Sequence, residues 1–93
     1  MLSIIIPVRD ESNNLEGIEE YYSKNLSSFE YEVLIINDFS TDNTLEKAKN
    51  LFKNKNFRVL DNKKKGLGGA INLGITEATG SHIVIMMADQ SDD

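Results

Sequence analysis

Four short apolar runs, each followed by a polar loop, constrain the fold of this chain more than any other feature. They are Ser3–Val8, Tyr31–Ile36, Phe57–Leu60 and the run that begins at His82. Most of their residues are β-branched or aromatic, which favours strands. Apolar side chains at consecutive positions also indicate burial on both faces of a sheet. We therefore expect the first run to be a central strand and the last run to be buried on both faces, as strands in the middle of a parallel sheet are.

Between these runs, apolar residues recur at helical spacing and predict three helices. Ser12 or Asn13 is expected to cap the first helix, and Asn43 stands before Glu46 at capping-box spacing for the second. Gly80 is expected to end the third helix in a left-handed conformation. The apolar faces contain, in chain order, Leu15, Ile18, Tyr22 and Leu26; Leu45, Ala48, Leu51 and Phe52; and Ala70, Ile71, Leu73, Ile75 and Ala78.

The order β-α-β-α-β-α-β predicts an α/β fold with an open, mostly parallel sheet of Rossmann-like type. A chain of 93 residues is one small domain, residues 1–93. Pro7 is expected to end the ladder of the first strand, because proline has no N–H to donate. If the fourth strand lies on the opposite side of the first strand from the second and third, the ligand crevice lies between strands one and four. The loop Pro7–Glu11 then lies beside Ala88–Asp93.

Composition and motifs exclude several classes of function. The chain has no cysteine, which removes disulfides, thiolate metal sites and thiol nucleophiles. Its net charge of −5 argues against a nucleic-acid partner. The P-loop motif is absent, and the glycine cluster follows the third strand without the G-x-G-x-x-G spacing of a dinucleotide site. No apolar segment approaches the ~20 residues of a membrane span, and the first residues lack a basic leader. We expect a cytoplasmic protein, with peripheral attachment at the inner face of a membrane as the alternative.

Several loop residues have both a structural and a ligand-binding interpretation. Three carboxylates, Asp89, Asp92 and Asp93, fall within five residues. They suit a hard divalent cation and equally suit a solvated chain end. Asp38 is either a ligand contact or an ordinary turn residue. The glycines of Gly66–Gly69 either allow a tight turn with close helix packing or allow a ligand to approach the backbone.

Three segments, in this order, resemble the family 2 glycosyltransferases of the type A fold. Ser3–Glu11 is similar to the family's opening strand and its Pro-x-x-Asn-Glu turn, with Asp10 at the position where Asn is common. Glu32–Thr44 resembles the second strand and the loop Asp-Asp-Gly-Ser-Thr-Asp-Gly-Thr. Gly66–Gly74 resembles the glycine-led helix, particularly as it occurs in the polyprenyl-phosphate sugar transferases. The resemblance covers nearly the whole chain.

The sequence departs from the family pattern at identifiable positions. Asn37 replaces the first Asp of the second loop, and Phe39 and Asn43 replace its glycines. The family's Asp-x-Asp motif falls on Met87-Ala88-Asp89, so only the second carboxylate is kept. The resemblance implies that Asp89 reaches a divalent metal on the donor diphosphate.

The resemblance implies transfer of a sugar from a nucleotide-diphosphate sugar to an acceptor, such as a membrane-associated polyprenyl phosphate or a glycan, with Mg²⁺ or Mn²⁺ as cofactor. This chain would be the nucleotide-sugar-binding half, truncated at its C-terminus, with the catalytic base beyond Asp93. The implied nucleotide-sugar-binding residues are Pro7, Val8, Glu11, Asp38, Ser40, Gly66, Gly68 and Ala88, and the implied metal ligand is Asp89. Asp92 is predicted as a second metal ligand that compensates for the carboxylate missing at Met87. The alternatives are a non-catalytic nucleotide-binding module and a flavodoxin-like binding domain.

Overall fold

The computed structural model describes residues 1–63 and 66–87 and shows a parallel sheet with helices on both faces. Its strands are β1 (Leu2–Val8), β2 (Tyr31–Asn37), β3 (Phe57–Asp61) and β4 (His82–Ile85); its helices are α1 (Ile18–Asn25), α2 (Thr44–Leu51) and α3 (Leu67–Glu77), and a 3₁₀ turn (Ser12–Asn14) precedes α1. The predicted α/β class and order of elements are confirmed. None of the helices in the described ranges is long and apolar enough to cross a membrane.

The strand order places the topological switch where the sequence predicted it. The order across the sheet is β3-β2-β1-β4, and every described pair is parallel. From β1 the chain moves outward to β2 and β3, and then α3 carries it back across the sheet to β4. The direction of the connections therefore reverses between β1 and β4, which is where ligands bind in open α/β sheets.

Pro7 does not end the ladder of β1, contrary to the prediction. The pairing of β1 with β2 continues to Val8. Along a parallel strand, successive residues turn their polar groups to opposite neighbours. The carbonyl of Ile5 accepts from the N–H of Met86, and Pro7 faces the same side two residues later. The β1–β4 register ends at Ile85, so none of the ladder bonds between described residues requires an N–H at Pro7.

The core occupies both faces of the sheet because side chains alternate along each strand. One face is covered by α1 and α2, and the other by α3. The first cluster contains Ile4, Ile6, Val8, Leu15, Ile18, Tyr22, Tyr31, Val33, Ile35, Ala48, Phe52 and Phe57. The second contains Ile5, Leu34, Ile36 and Ala70. This double burial confirms that β1 is a central strand.

The fourth strand lies at an edge of the described sheet, as the predicted strand order requires, but it is not buried on both faces as its apolar run predicted. Ile83, Val84 and Ile85 keep 42%, 40% and 43% of their surfaces exposed. No described strand lies beyond β4. The apolar run predicted a strand correctly, but burial also depends on what packs against the strand, and a sequence run does not contain that information.

Two helix ends also differ from the prediction. Ser12 and Asn13 lie in the 3₁₀ turn rather than capping α1, which begins after Gly17. The third helix gives way to an extended residue at Ala78, and Gly80 does not adopt a left-handed conformation. A Cβ atom at Gly80 would lie 2.5 Å from the Oγ of Ser3. Glycine is therefore required there for close approach of two chain segments.

A buried carboxylate holds the end of the sheet opposite the predicted crevice. Glu32 accepts hydrogen bonds from the hydroxyl of Ser3 at 2.7 Å and from the N–H and hydroxyl of Thr79 at 2.7 and 3.1 Å. Burial raises the pKa of Glu32, but these hydrogen bonds and the nearby Arg58 outweigh burial, so the pKa is lowered overall. This network joins β1, β2 and the segment before β4.

Candidate functional site

A cleft opens at the carboxyl end of the sheet, beside the point where β1 and β4 separate. It encloses about 120 Å³ and is lined by Pro7, Val8, Arg9, Glu11, Asp38, Leu67 and Met87. Four of the predicted nucleotide-sugar-binding residues, Pro7, Val8, Glu11 and Asp38, therefore meet in one place. They come from the ends of two adjacent strands, as the topology predicts. Arg9 and Leu67 are lining residues that the sequence analysis missed, although each is a direct neighbour of a predicted one.

Asp38 is a fixed acceptor within this cleft and is only 5% exposed. Its Oδ1 accepts hydrogen bonds from the side-chain amide of Asn62 and from the N–H of Gly66, each at 3.0 Å. Its own N–H donates to the carbonyl of Val8 at 2.8 Å. These bonds join the ends of β1 and β2 to the start of α3. An ionised carboxylate offers several acceptor positions, so the side chain suits a ligand N–H or hydroxyl.

Gly66 and Gly68 flank Leu67 at the start of α3 without lining the cleft themselves. Gly66 has a φ of +116°, a conformation that favours glycine, and its N–H is held by Asp38. This agrees with the structural interpretation of Gly66 as a turn residue. A Cβ at Gly68 would meet no atom of the described residues within 4 Å. Ligand contact by either glycine stays a prediction.

Glu11 is held at the mouth of the cleft by the turn that follows β1. Its Oε2 accepts a hydrogen bond from the side-chain amide of Asn14 at 2.6 Å. Its N–H donates to the hydroxyl of Thr44 at 3.0 Å. Asn14 is a supporting residue that no motif indicated, because its role depends on the 3₁₀ turn that brings it back to Glu11.

The loops after β1 and β2 are joined by Asp10. Its Oδ1 accepts from the N–H of Thr41 at 2.6 Å, from the hydroxyl of Thr41 at 3.2 Å and from the N–H of Asp42 at 3.2 Å. The N–H of Asp10 donates to the Oγ of Ser40 at 3.0 Å. Ser40 lines a neighbouring pocket rather than the cleft, and its predicted contact with the nucleotide sugar stays a prediction.

Two non-glycine residues in these loops have left-handed backbones. Asp10 has a φ of +51° and Phe39 a φ of +55°. Aspartate tolerates this region, but for most residues it costs ~1–2 kcal/mol. Phe39 occupies a position where the resembling family has glycine, which explains why the backbone takes a glycine-like conformation there.

The first turn of α2 is capped by Asp42 instead of the predicted Asn43 and Glu46. The cap residue Asn43 makes no side-chain hydrogen bond to the helix, whereas Asp42 accepts from the N–H of Thr44 at 2.9 Å. The hydroxyl of Thr44 also donates to Asp42 and lowers the pKa of its carboxyl group. The cap and the loop that Asp10 holds are therefore one connected structure.

Next to this loop, Asn37 makes a polar pair with the end of β3. The residue is 5% exposed, and its side-chain amide donates to the Oδ1 of Asp61 at 3.0 Å. Its Oδ1 has no hydrogen-bond partner within the part of the chain that the structure describes. An aspartate at this position, as in the resembling family, would face Asp61 with a like charge.

The predicted metal ligands Asp89 and Asp92, together with Ala88, lie outside the described residues. Within residues 1–63 and 66–87, no group of three or more His, Cys, Asp or Glu side chains is arranged to hold a metal ion. Met87, which replaces the first carboxylate of the family motif, is 38% exposed and lines the cleft.

Comparison with known proteins agrees with this architecture. The model of the family described as Glycosyl transferase family 2 matches residues 3–93. The chain is 37% identical over 89 residues to the dolichol-phosphate mannosyltransferase of Pyrococcus furiosus, covering 95% of this chain and 25% of that protein. The chain therefore spans about a quarter of the length of this relative.

Two solved structures show the same fold at lower sequence identity. One is S. aureus TarS 1-349 in complex with UDP-GlcNAc, with a TM-score of 0.80 at 23% identity over 95% of this chain and 26% of that one. The other is the mannosyltransferase PcManGT from Pyrobaculum calidifontis in complex with GDP-Man and Mn²⁺, with a TM-score of 0.76 at 22% identity over 95% and 27%. The type A fold expected from the sequence is confirmed. The family match favours the glycosyltransferase interpretation over a flavodoxin-like domain, and this chain belongs to glycosyl transferase family 2.

Proposed function

We propose that this chain is the donor-binding part of an enzyme that transfers a sugar from a nucleotide-diphosphate sugar to an acceptor. The observation that carries this proposal is the meeting of Pro7, Val8, Glu11 and Asp38 in one cleft at the switch point of the sheet. Membership of glycosyl transferase family 2 supports the type of reaction. The structural neighbours in complex with UDP-GlcNAc or GDP-Man support a nucleotide-sugar donor.

The cleft suits the nucleoside end of such a donor. Asp38 can accept from a ring N–H of the base or from a ribose hydroxyl, and the apolar surfaces of Pro7 and Leu67 can pack against a planar ring. A ligand lacking the matching donor would displace water from the carboxylate of Asp38 without offering it a new hydrogen bond, which is unfavourable. At about 120 Å³ the cleft is smaller than the roughly 300 Å³ at the lower end of small-molecule sites. We therefore expect the described residues to hold only part of the donor.

A divalent cation is part of the proposal, as Mg²⁺ or Mn²⁺ with Asp89 and Asp92 as ligands. The Mn²⁺ in the PcManGT complex supports it. Such an ion offsets the charge on a departing diphosphate. The described carboxylates do not form a cation site of their own, so the ligands would come from residues 88–93.

The acceptor is proposed to be a polyprenyl phosphate, on the strength of the dolichol-phosphate mannosyltransferase relative. A lipid-linked acceptor would place the full-length protein in the cytoplasm at the inner face of a membrane. Because the chain spans about a quarter of that relative, we propose that acceptor-binding groups and the catalytic base belong to other parts of the full-length protein. Nucleotide binding without sugar transfer by the full-length protein would favour the non-catalytic alternative.

Calorimetric titration of the purified chain with GDP and UDP, with and without Mn²⁺, tests the proposal. We expect one nucleotide to bind, more tightly with the metal. Asp38→Asn should weaken binding by about tenfold or more, because hydrogen bonds to charged groups are worth ~1.5–3 kcal/mol. Glu20→Gln, which removes one exposed charge from α1, is the matched control and should bind as the wild type does. A chain that is folded by circular dichroism and binds neither nucleotide would contradict the proposal.

A further inference from the structure

The side chain of Asp10 makes most of the hydrogen bonds that join the β1 loop (Arg9–Glu11) to the β2 loop (Phe39–Asn43). Oδ1 of Asp10 accepts three hydrogen bonds, from the N–H and hydroxyl of Thr41 and from the N–H of Asp42, at 2.6, 3.2 and 3.2 Å. In the opposite direction, the N–H of Asp10 donates to the Oγ of Ser40 at 3.0 Å. A single residue thus contacts three successive residues of a loop about 30 positions away in sequence.

The donors that surround this carboxylate form an anion-binding concavity. Successive backbone N–H groups in a turn create a nest with positive potential. Here the nest of Thr41 and Asp42 is filled by Asp10 of the neighbouring loop. Hydrogen bonds to an ionised carboxylate are stronger than bonds between neutral groups. The contact is exposed to solvent, so its effect depends on several bonds acting together rather than on burial.

The backbone conformations of the two loops also indicate that they are held in place. Asp10 and Phe39 have φ values of +51° and +55°. Left-handed conformations at non-glycine residues persist where the surrounding contacts determine them, and they are concentrated at functional sites. The bonds from Asp10 begin one residue after Phe39. Hydrogen bonds between Ser12 and Asp42 add a second connection directly after the β1 loop.

The two residues that contribute carboxylates to the cleft are neighbours in sequence of the residues that join the two loops. Asp38 immediately precedes Phe39, and Glu11 immediately follows Asp10. The N–H of Glu11 extends the same link by donating to the hydroxyl of Thr44 at 3.0 Å. A shift of either loop relative to the other would therefore change the separation of the two carboxylates across the cleft.

We propose that Asp10 is a positioning residue for the nucleotide: its carboxylate fixes the β2 loop against the β1 loop and so aligns Asp38 and Glu11 around the ligand. This inference rests on the proposed function, because it assigns a role in binding the nucleoside diphosphate. Asp10 does not line the cleft itself. Its effect on affinity is therefore expected to act through the two loops.

The test compares three substitutions of Asp10. Asp10→Ala removes every side-chain acceptor, and Asp10→Gly does the same while relieving the left-handed backbone. Asp10→Asn keeps one acceptor oxygen on a residue that tolerates positive φ. Affinity for GDP and UDP with Mn²⁺ is measured by calorimetry, and hydrogen exchange of the Thr41 and Asp42 amides by NMR. We expect Asp10→Ala and Asp10→Gly to weaken binding by about tenfold or more and to accelerate exchange at both amides, and Asp10→Asn to recover most of the affinity.

Two controls separate positioning from general stability. Glu46→Gln removes one exposed charge from α2, close to the β2 loop, without touching the bonds of Asp10. Phe57→Leu loosens the core at the start of β3, at the end of the sheet away from the cleft. Both variants should bind nucleotide as the wild type does. An equal loss of affinity in Phe57→Leu and Asp10→Gly would show a general effect of stability and would overturn the inference.

The remaining outcomes separate this inference from the proposed function. If the wild-type chain binds neither nucleotide, the proposed function fails and the positioning role fails with it, whereas amide exchange still decides whether Asp10 holds the two loops together. Exchange at Thr41 and Asp42 that is unchanged in Asp10→Gly overturns it. So does nucleotide affinity within twofold of the wild type in both variants that lack the carboxylate. Should Asp10→Ala fail to fold, Asp10→Gly gives the same test, because glycine suits the backbone at this position.

Discussion

Replacing Gly74 with alanine should destabilise this chain, whereas the same change at Gly68 in the same helix should stabilise it slightly. A Cβ atom at Gly74 would lie 2.5 Å from Cγ2 and 2.9 Å from Cδ1 of Ile5. Ile5 is completely buried in β1, and Gly74 is itself a buried position of α3. Among residues 1–63 and 66–87, a Cβ at Gly68 would have no neighbour within 4 Å. The two sites therefore differ in packing while the chemical change is identical.

The expected magnitudes follow from two opposing effects. Adding a methyl group to a filled core costs ~1–3 kcal/mol. A separation of 2.5 Å is far below the ~3.5–4.0 Å of favourable carbon contacts, which places Gly74→Ala near the upper limit. Alanine recovers ~1 kcal/mol of helix propensity. The net loss at Gly74 is then ~2 kcal/mol, whereas Gly68→Ala in the first turn should gain ~0.5 kcal/mol.

Urea unfolding followed by far-ultraviolet circular dichroism measures both effects. With a slope of ~1–2 kcal/mol/M, Gly74→Ala should lower the midpoint by about 1–2 M. Gly68→Ala should leave the midpoint unchanged or raise it slightly. A Gly74→Ala variant as stable as the wild type would refute the packing of α3 against Ile5. Nucleotide titration of Gly68→Ala adds a functional result, because a loss of affinity without a loss of stability indicates that the ligand approaches the backbone at Gly68.

Four further predictions test other parts of the structure. Folding lowers the pKa of Glu32, so its stabilising effect is present above the unfolded value of about 4.5 and is lost as pH falls below that value through the folded pKa. In urea unfolding, Glu32→Gln should lose less of its free energy of unfolding at acid pH than the wild type does. The same pH dependence of the free energy of unfolding in both proteins would contradict this. Asn37→Asp should reduce the free energy of unfolding at pH 7 by ~1–3 kcal/mol through repulsion of Asp61, and Asp61→Asn in the same chain should restore most of it. The exposed apolar edge of β4 should cause self-association, which a monodisperse monomer in sedimentation would contradict. Phe39→Gly should relieve backbone strain and so reduce the destabilisation caused by Asp10→Asn. A double-mutant cycle of the two substitutions should give a coupling energy of ~0.5 kcal/mol or more, whereas additive effects would show that the two residues act independently.

Much of the fold could be predicted because its main determinants are local in sequence. Consecutive β-branched residues identified β1 and β2, and helical spacing identified the segments that cover them. The exposure of β4 could not be predicted in the same way. Its apolar run is typical of a buried strand, yet Val84 is 40% exposed because no described element packs beyond it. The sequence also could not show that a proline is tolerated at position 7 within β1. That depends on β4, because the described β1–β4 pairing ends at Ile85, before the position that Pro7 faces.

The candidate site could be predicted only to the level of strand ends. Topology brings Pro7, Val8, Glu11 and Asp38 together because parallel strands end at the same edge of the sheet. The role of Asp10 could not be inferred, because it depends on loop conformations with positive φ, which the residue types do not reveal. The predictions for Ala88, Asp89 and Asp92 fall outside the described residues and stay predictions.

The two departures from the family loops, Asp10 for Asn and Phe39 for Gly, have a common physical explanation. A bulky residue at a φ of +55° is strained by ~1–2 kcal/mol relative to glycine. A carboxylate bonds the N–H groups of Thr41 and Asp42 more strongly than an amide oxygen would. The stronger hydrogen bonds of the Asp10 carboxylate thus offset the backbone strain at Phe39, which a glycine at that position would not have. The negative charge of Asp10 therefore stabilises the β2 loop next to Asp38. It maintains the shape of the cleft even though position 39 carries phenylalanine instead of glycine.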